Sequence, residues 1–336
     1  MSLYTAETRR LVKRRFTKFF VIGGLVVLVA IAAGVYFTNQ KVGPDQVAAA
    51  QQTADREFAR VQQQAAQDQQ RCVAAPGTAD AANYPADCGQ LYTPTKDDFQ
   101  AASYMPATFD FRKSFGNMVT ALAALFALMA FVVGASFVGA EWNSGGMMNL
   151  LLWRPQRLKV LGTKLLALVV GLGVLTAVTA AAWTGLFVLT ARQRGSLESM
   201  TSGAWQSFAL TEVRGLVLVL AVGAVGFGLA SLGRHTAMAL GVAIGVVVVF
   251  QFGLGTVLSL AHVKFPEAYL IPIWAIAWMD KSVKLENYDT CNYSASSGCV
   301  PDTLTITWPM AGGVLAAVVV LVVGAALWTI RSRDIT

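Results

Sequence analysis

Charge is scarce in this sequence. Only 13% of its 336 residues are Asp, Glu, Lys or Arg, while 55% are hydrophobic. Two histidines and four cysteines, widely scattered, offer no spacing that reads as a metal site. No Gly-x-x-x-x-Gly-Lys-Ser/Thr run occurs, so the chain has no P-loop with which to cradle ATP. No cofactor is therefore expected on this chain. The net charge of +7 raises nucleic acid as a partner. The cations flank apolar runs, however, where membrane topology explains them, and nucleic acid is set aside. A mean hydropathy of +0.54 places the chain among integral membrane proteins.

Charge is also missing from the long apolar runs: Phe19–Phe37, Met118–Ala140, Leu165–Ala191, Gly215–Gly233, His235–Ala261 and Pro309–Ile330. Each is long enough to cross a bilayer as a helix. The first exceeds the ~7–15 apolar residues of a cleaved signal peptide. With no Asp, Glu, Lys or Arg in these runs, the ionisable relays of ion-coupled carriers are absent. The apolar interior suits an apolar or amphipathic substrate. Gly241 and Gly245 form a small-xxx-small pair that lets helices approach closely.

The reading is thus an all-α integral membrane protein with six transmembrane helices and a helical extracytoplasmic insertion between helices 1 and 2. Residues 1–18 are an amphipathic elbow helix, with Tyr4, Thr8, Leu11, Val12 and Phe16 at helical spacing among six cations. Residues 19–38 form helix 1, and 39–115 the outer region. Residues 116–336 hold helices 2–6, with a short helix at 142–153 and an outer loop at 262–308. An even number of spans puts both termini on one side. The basic N-terminus, Arg154, Arg157, Lys159, Lys164, Arg234 and Arg331 mark that side as cytoplasmic. Arg192 and Arg194 fall outside and count against the scheme.

In the outer region, 44–70 reads as a water-exposed helix with Val47, Ala54, Phe58, Val61 and Ala65 on one stripe. Residues 92–112 read as irregular, broken by Pro94 and Pro106. Cys72 and Cys88 fall in this region, and Cys291 and Cys299 in the last outer loop. Cysteines confined to outer loops fit two local disulfides; four unpaired thiols are the alternative. Leu270–Met279 is apolar but too short to span, and reads as a re-entrant or interfacial helix pair broken at Pro272.

The stretch Glu141–Lys164 lies between two spans. Asn143 or Ser144 is placed to cap a helix over Ser144–Trp153, which the proline at 155 ends. At ~1.5 Å per residue it reaches ~15 Å, half a bilayer core, so it lies at the surface or in a partner's groove. Glu141 can favour the positive end of that helix.

Glu141-x-x-x-Gly145, then Leu150-Leu151-Leu152 and Arg154-Pro155-x-Arg157, resembles the coupling-helix segment of type-2 ATP-binding-cassette (ABC) exporter permeases. Two features depart from the family pattern: Gly146 stands where Thr is usual, and the Pro–Arg spacing is one shorter. The order of elbow, span, outer region, span, short helix and four further spans matches too, as do the broken helix before the last span and the terminal Arg333-Asp334-Ile335. Only 41–115 is longer than usual. The resemblance implies a bacterial plasma-membrane permease subunit, not itself an enzyme. ATP and Mg would bind two copies of a separate ABC ATPase, and a second permease chain, identical or different, would complete the pathway among membrane lipids. Glu141, Ser144, Gly145, Met147, Met148, Leu151, Arg154 and Arg157 would carry ATPase coupling, with Met147, Met148 and Leu151 as groove anchors. Export rather than import comes from the resemblance alone. Two alternatives are a glycosyltransferase acting on lipid-linked sugars, with Asp97 and Asp98 as its outer carboxylates, and a non-transporting sensor or scaffold.

Overall fold

The computed structural model describes residues 3–78, 83–85, 87–153, 156–294 and 298–332. Helices α1 (Leu3–Lys13) and α2 (Arg15–Thr38) are followed by α3 (Pro44–Ala74). After short 3-10 turns come α4 (Phe111–Asn143), α5 (Gly146–Trp153), α6 (Arg157–Arg194) and α7 (Ser202–Gly233). Next are α8 (Thr236–Val246), a π-helical stretch Val247–Leu254, α9 (Gly255–Leu260), α10 (Ile271–Asp280) and α11 (Trp308–Ser332). Six stretches are long and apolar enough to cross a membrane: α2, α4, α6, α7, Thr236–Leu260 and α11. The all-α membrane architecture holds.

Four expectations change. The spanning helices run past the uncharged stretches, so Lys164 lies in α6, and Glu212 and Arg214 lie in α7. An apolar-run criterion stops at the first charge, whereas a helix needs only intact backbone hydrogen bonds. Pro272 stands in the first turn of α10, where its missing N–H costs nothing, and opens that helix instead of breaking it. Gly241 and Gly245 face open space within the chain. The close approach is between α4 and α7, where a Cβ on Gly134 would sit 2.3 Å from the Gly223 carbonyl oxygen. The last loop contains a long antiparallel hairpin, β3 (Ser282–Ser294) with β4 (Gly298–Thr307). Leu285 and Ile306 from its buried face pack with Ala277 of α10 and Ala311 of α11.

The chain divides into two compact units, 33–111 with 188–199, and the remainder. In the smaller unit, α3 buries Ala50, Ala54 and Cys72, and Phe58 meets Phe99 at 5.8 Å between ring centroids. Its stripe thus packs on the turns that follow it in sequence. Val47, expected on that stripe, is exposed. Cys72 and Cys88 form a disulfide. The two-residue strands β1 (Phe109–Asp110) and β2 (Gly195–Ser196) pair in parallel. Cys299 is also disulfide-bonded; the side chain of Cys291, its expected partner, lies outside the described residues.

Candidate functional site: a buried charge cluster at the short helix

In the larger unit, α1, the end of α4, α5 and the start of α6 meet around Lys164. This side chain is fully buried. Its Nζ lies 2.6 Å from Glu7 Oε2 and 2.5 Å from Glu141 Oε2. Arg10 reaches the same two carboxylates, at 3.2 Å to Glu7 and 3.9 Å to Glu141. Two anions and two cations thus make a neutral quartet. Phe137 lies beneath it, with its ring centroid 5.3 Å from Lys164 Nζ. Arg14 also lies near that ring, 5.6 Å from the centroid, and donates from Nη1 to the Ser136 carbonyl oxygen at 2.6 Å. Burial pushes the Arg14 guanidinium below its ordinary value, opposed by Glu141 and then Glu7.

The local sequence explains how these charges come together. Glu7 falls on the inward stripe of α1, one turn before Leu11, and both are buried. Leu11 packs toward Gly171 of α6, where a Cβ would meet Leu11 Cδ2 at 2.8 Å. Glu141 lies in the last turn of α4 and Lys164 in the second turn of α6, so the α5 connection holds them on facing ends. A buried ion pair gains little net stability over an apolar substitute, but stripping one partner from it typically costs ~3–5 kcal/mol.

The turn into α5 differs from the expected one. Helix α4 continues to Asn143, and Gly145 adopts φ +72°, a left-handed conformation that ends it. Ser144 does not cap α5. Its hydroxyl donates back to the Glu141 carbonyl oxygen at 3.4 Å. Helix α5 starts at Gly146 and is ~12 Å long. Met147 and Leu151, four residues apart, are buried against this chain's own body. Asn149, Leu152 and Trp153 share the opposite face and are exposed, Leu152 by 81% and Trp153 by 86%. Met148 is half-buried, between the two faces. Arg154 lies outside the described residues. Arg157 begins α6 and lines a separate cleft with Lys159 and Arg331. Glu141 was expected at the positive end of the short helix; the structure puts its carboxylate on Lys164 and Arg10.

The family-model comparison decides the class: the ABC-2 family transporter model matches residues 1–331. The chain belongs to the ABC-2 transporter family. It is accordingly a multi-pass membrane permease subunit, and its family implies partnership with an ABC ATPase. No curated protein matches the sequence.

The sequence reading missed Glu7 and the role of Lys164. Both carried a signal. Glu7 is the only acid in the first 44 residues, among seven cations, and Glu141 is the only charge between Lys113 and Arg154. Asp98, one of the two carboxylates considered for glycosyl transfer, accepts hydrogen bonds from Thr95 N at 2.9 Å, Thr95 Oγ1 at 2.8 Å and Tyr92 Oη at 3.0 Å. Those bonds hold its carboxyl below its ordinary value, Thr95 contributing most. Asp98 is a turn cap, poorly suited to proton transfer near neutral pH.

Proposed function

We propose that this permease exports an apolar or amphipathic substrate, driven by ATP hydrolysis on two copies of a separate ABC ATPase, with a second permease chain completing the pathway. The observation that carries the coupling role is the two-faced character of α5. Its inner face, Met147 and Leu151, is anchored in this chain, while Asn149, Leu152 and Trp153 project outward together. A short helix presenting a Leu and a Trp fits a groove on a partner. The revised docking face is therefore Asn149, Leu152 and Trp153. Ser144 and Gly145 form the pivot at its base, and Met148 borders the contact. Arg154 and Arg157, which follow it in sequence, support a cytoplasmic position for it and for both termini.

Motion of α5 reaches the spans through the charge quartet. Glu141 belongs to α4, Lys164 to α6, and Glu7 to the helix leading into α2. Displacing α5 pulls on all three at once. Apolar contacts alone would let these helices slide; paired buried charges hold discrete positions, because separating them exposes unpaired charge.

Co-purification with the ATPase, together with ATPase and transport assays in vesicles, tests this. Leu152→Asp or Trp153→Asp should lose the ATPase while the permease itself stays folded, because a carboxylate would be buried without a partner in the groove. Retention of the ATPase and full transport in both variants would remove the coupling role from α5.

A further inference from the structure

The coupling role makes no use of the cleft beside the quartet. It is open, of about 420 Å3, and lined by Arg10, Lys13, Arg14, Glu141 and Gly146. Three of these five are cations. The one carboxylate already faces Lys164 at 2.5 Å, so its charge is largely compensated. Lys13 is exposed and, among the described residues, has no ion-pair partner. Arg10 is half exposed and shares only part of its guanidinium with Glu7 and Glu141. The described hydrogen bond of Arg14 uses one of its five N–H groups. The cleft thus presents unsatisfied cationic donors to an anion.

Two features of its position select among anions. Arg14 is the residue between α1 and α2, and α2 opens with Arg15, Phe16, Thr17 and Lys18 before it becomes continuously apolar at Phe19. The cleft therefore lies at the level where a bilayer changes from hydrocarbon to phosphate. Lys13 also lines a second cleft of about 480 Å3, with Tyr4, Thr5, Thr8, Arg9 and Val12, and the Val12 side chain is 61% exposed. The Lys13 ammonium thus joins an open basic recess to the neighbouring cleft beside Val12. We propose that this cleft binds the phosphate of an anionic phospholipid through Arg10, Lys13 and Arg14, with an acyl chain along Val12. Bound there, the lipid phosphate draws Arg10 toward the cleft and away from Glu141, so lipid charge bears directly on the quartet.

Native mass spectrometry of the full chain in detergent, titrated with phosphatidylglycerol or phosphatidylcholine, tests the site. Phosphatidylglycerol should bind at least about tenfold more tightly. Lys13→Gln should weaken it about fivefold, the worth of one cation near an anionic headgroup. Arg15→Gln, one step outside the cleft, should leave it unchanged; Lys13 is exposed and unpaired, so neither variant endangers the fold. Equal binding of the two lipids, or equal losses in Lys13→Gln and Arg15→Gln, would overturn the site in favour of diffuse attraction. Inorganic phosphate that displaced the lipid at millimolar concentration would overturn the lipid assignment in favour of a soluble anion. Loss of the ATPase in Lys13→Gln with phosphatidylglycerol binding intact would reassign the cleft to a protein partner.

Discussion

The corner around Lys164 and the unit around α3 solve the same problem with different chemistry. Each must hold a helix against its neighbours. The corner uses four charges on three helices, with Glu7, Glu141 and Lys164 buried and Arg10 half exposed. The α3 unit uses a covalent bridge, Cys72–Cys88, small buried residues Ala50 and Ala54, and one aromatic contact. Its ion pairs, such as Arg60–Glu57 at 2.5 Å, are surface pairs three residues apart, which add little. A covalent staple shrinks the unfolded ensemble and tolerates any motion of the folded unit as a body. A buried quartet gives little net stability but penalises displacement. That is the property wanted where a helix must transmit movement.

The sharpest break in this contrast is Lys164→Met. It leaves Glu7 and Glu141 facing one another with only Arg10 between them, and should destabilise the larger unit by ~3–5 kcal/mol. Thermal unfolding in detergent, followed by tryptophan fluorescence, should show a large downward shift, while protease resistance of residues 44–74 stays unchanged. Cys72→Ser with Cys88→Ser should do the reverse. The bridge spans a sequence separation of 16, for which about 3 kcal/mol is typical, though the mechanism depends on the model used. Limited proteolysis should open 44–90 and leave ATPase coupling intact. Phe58→Ala should follow with a smaller loss confined to the same unit, because Phe58 is half-buried and meets one ring. Protease sensitivity between that of wild type and the cysteine variant is the expected reading.

The smallest effect concerns acid. The folded-state pKa of Asp98 is depressed by Thr95 and Tyr92, so the stability it lends is present above its ordinary range and is lost as pH falls through the lower folded value. Asp98→Asn should flatten the acid limb of the smaller unit's stability curve and leave neutral pH almost unaffected. An unchanged acid limb would mean the cap contributes nothing.

Much of the architecture was readable because apolar length alone identifies spans. The six spans, the elbow and the short helix all follow from that rule and from flanking cations. The hairpin was readable too and was missed. Thr303-Leu304-Thr305-Ile306-Thr307 alternates with period two, and its partner sets Val283 and Leu285 two apart. The site was half legible. Glu141 and the short helix stood out by position, but their roles did not. Which face of α5 points inward depends on where α4 ends, and that rests on the left-handed turn at Gly145. Lys164 was read as a topology marker because sequence counts charges without showing which carboxylate lies opposite. A lone acid among cations, as at Glu7, is the pattern that should prompt a search for a buried partner.

The central claim is that Glu141 and Lys164 act as one unit in passing motion from α5 to the spans. A double-mutant cycle on transport rate in vesicles measures it, using Glu141→Gln, Lys164→Met and both together, with assembly checked by ATPase co-purification. The account predicts that Lys164→Met is the most damaged, and that adding Glu141→Gln partly restores transport, because Glu7 and Arg10 are then left as a neutral pair. Losses that simply add, or a wild-type rate in Lys164→Met, would contradict it.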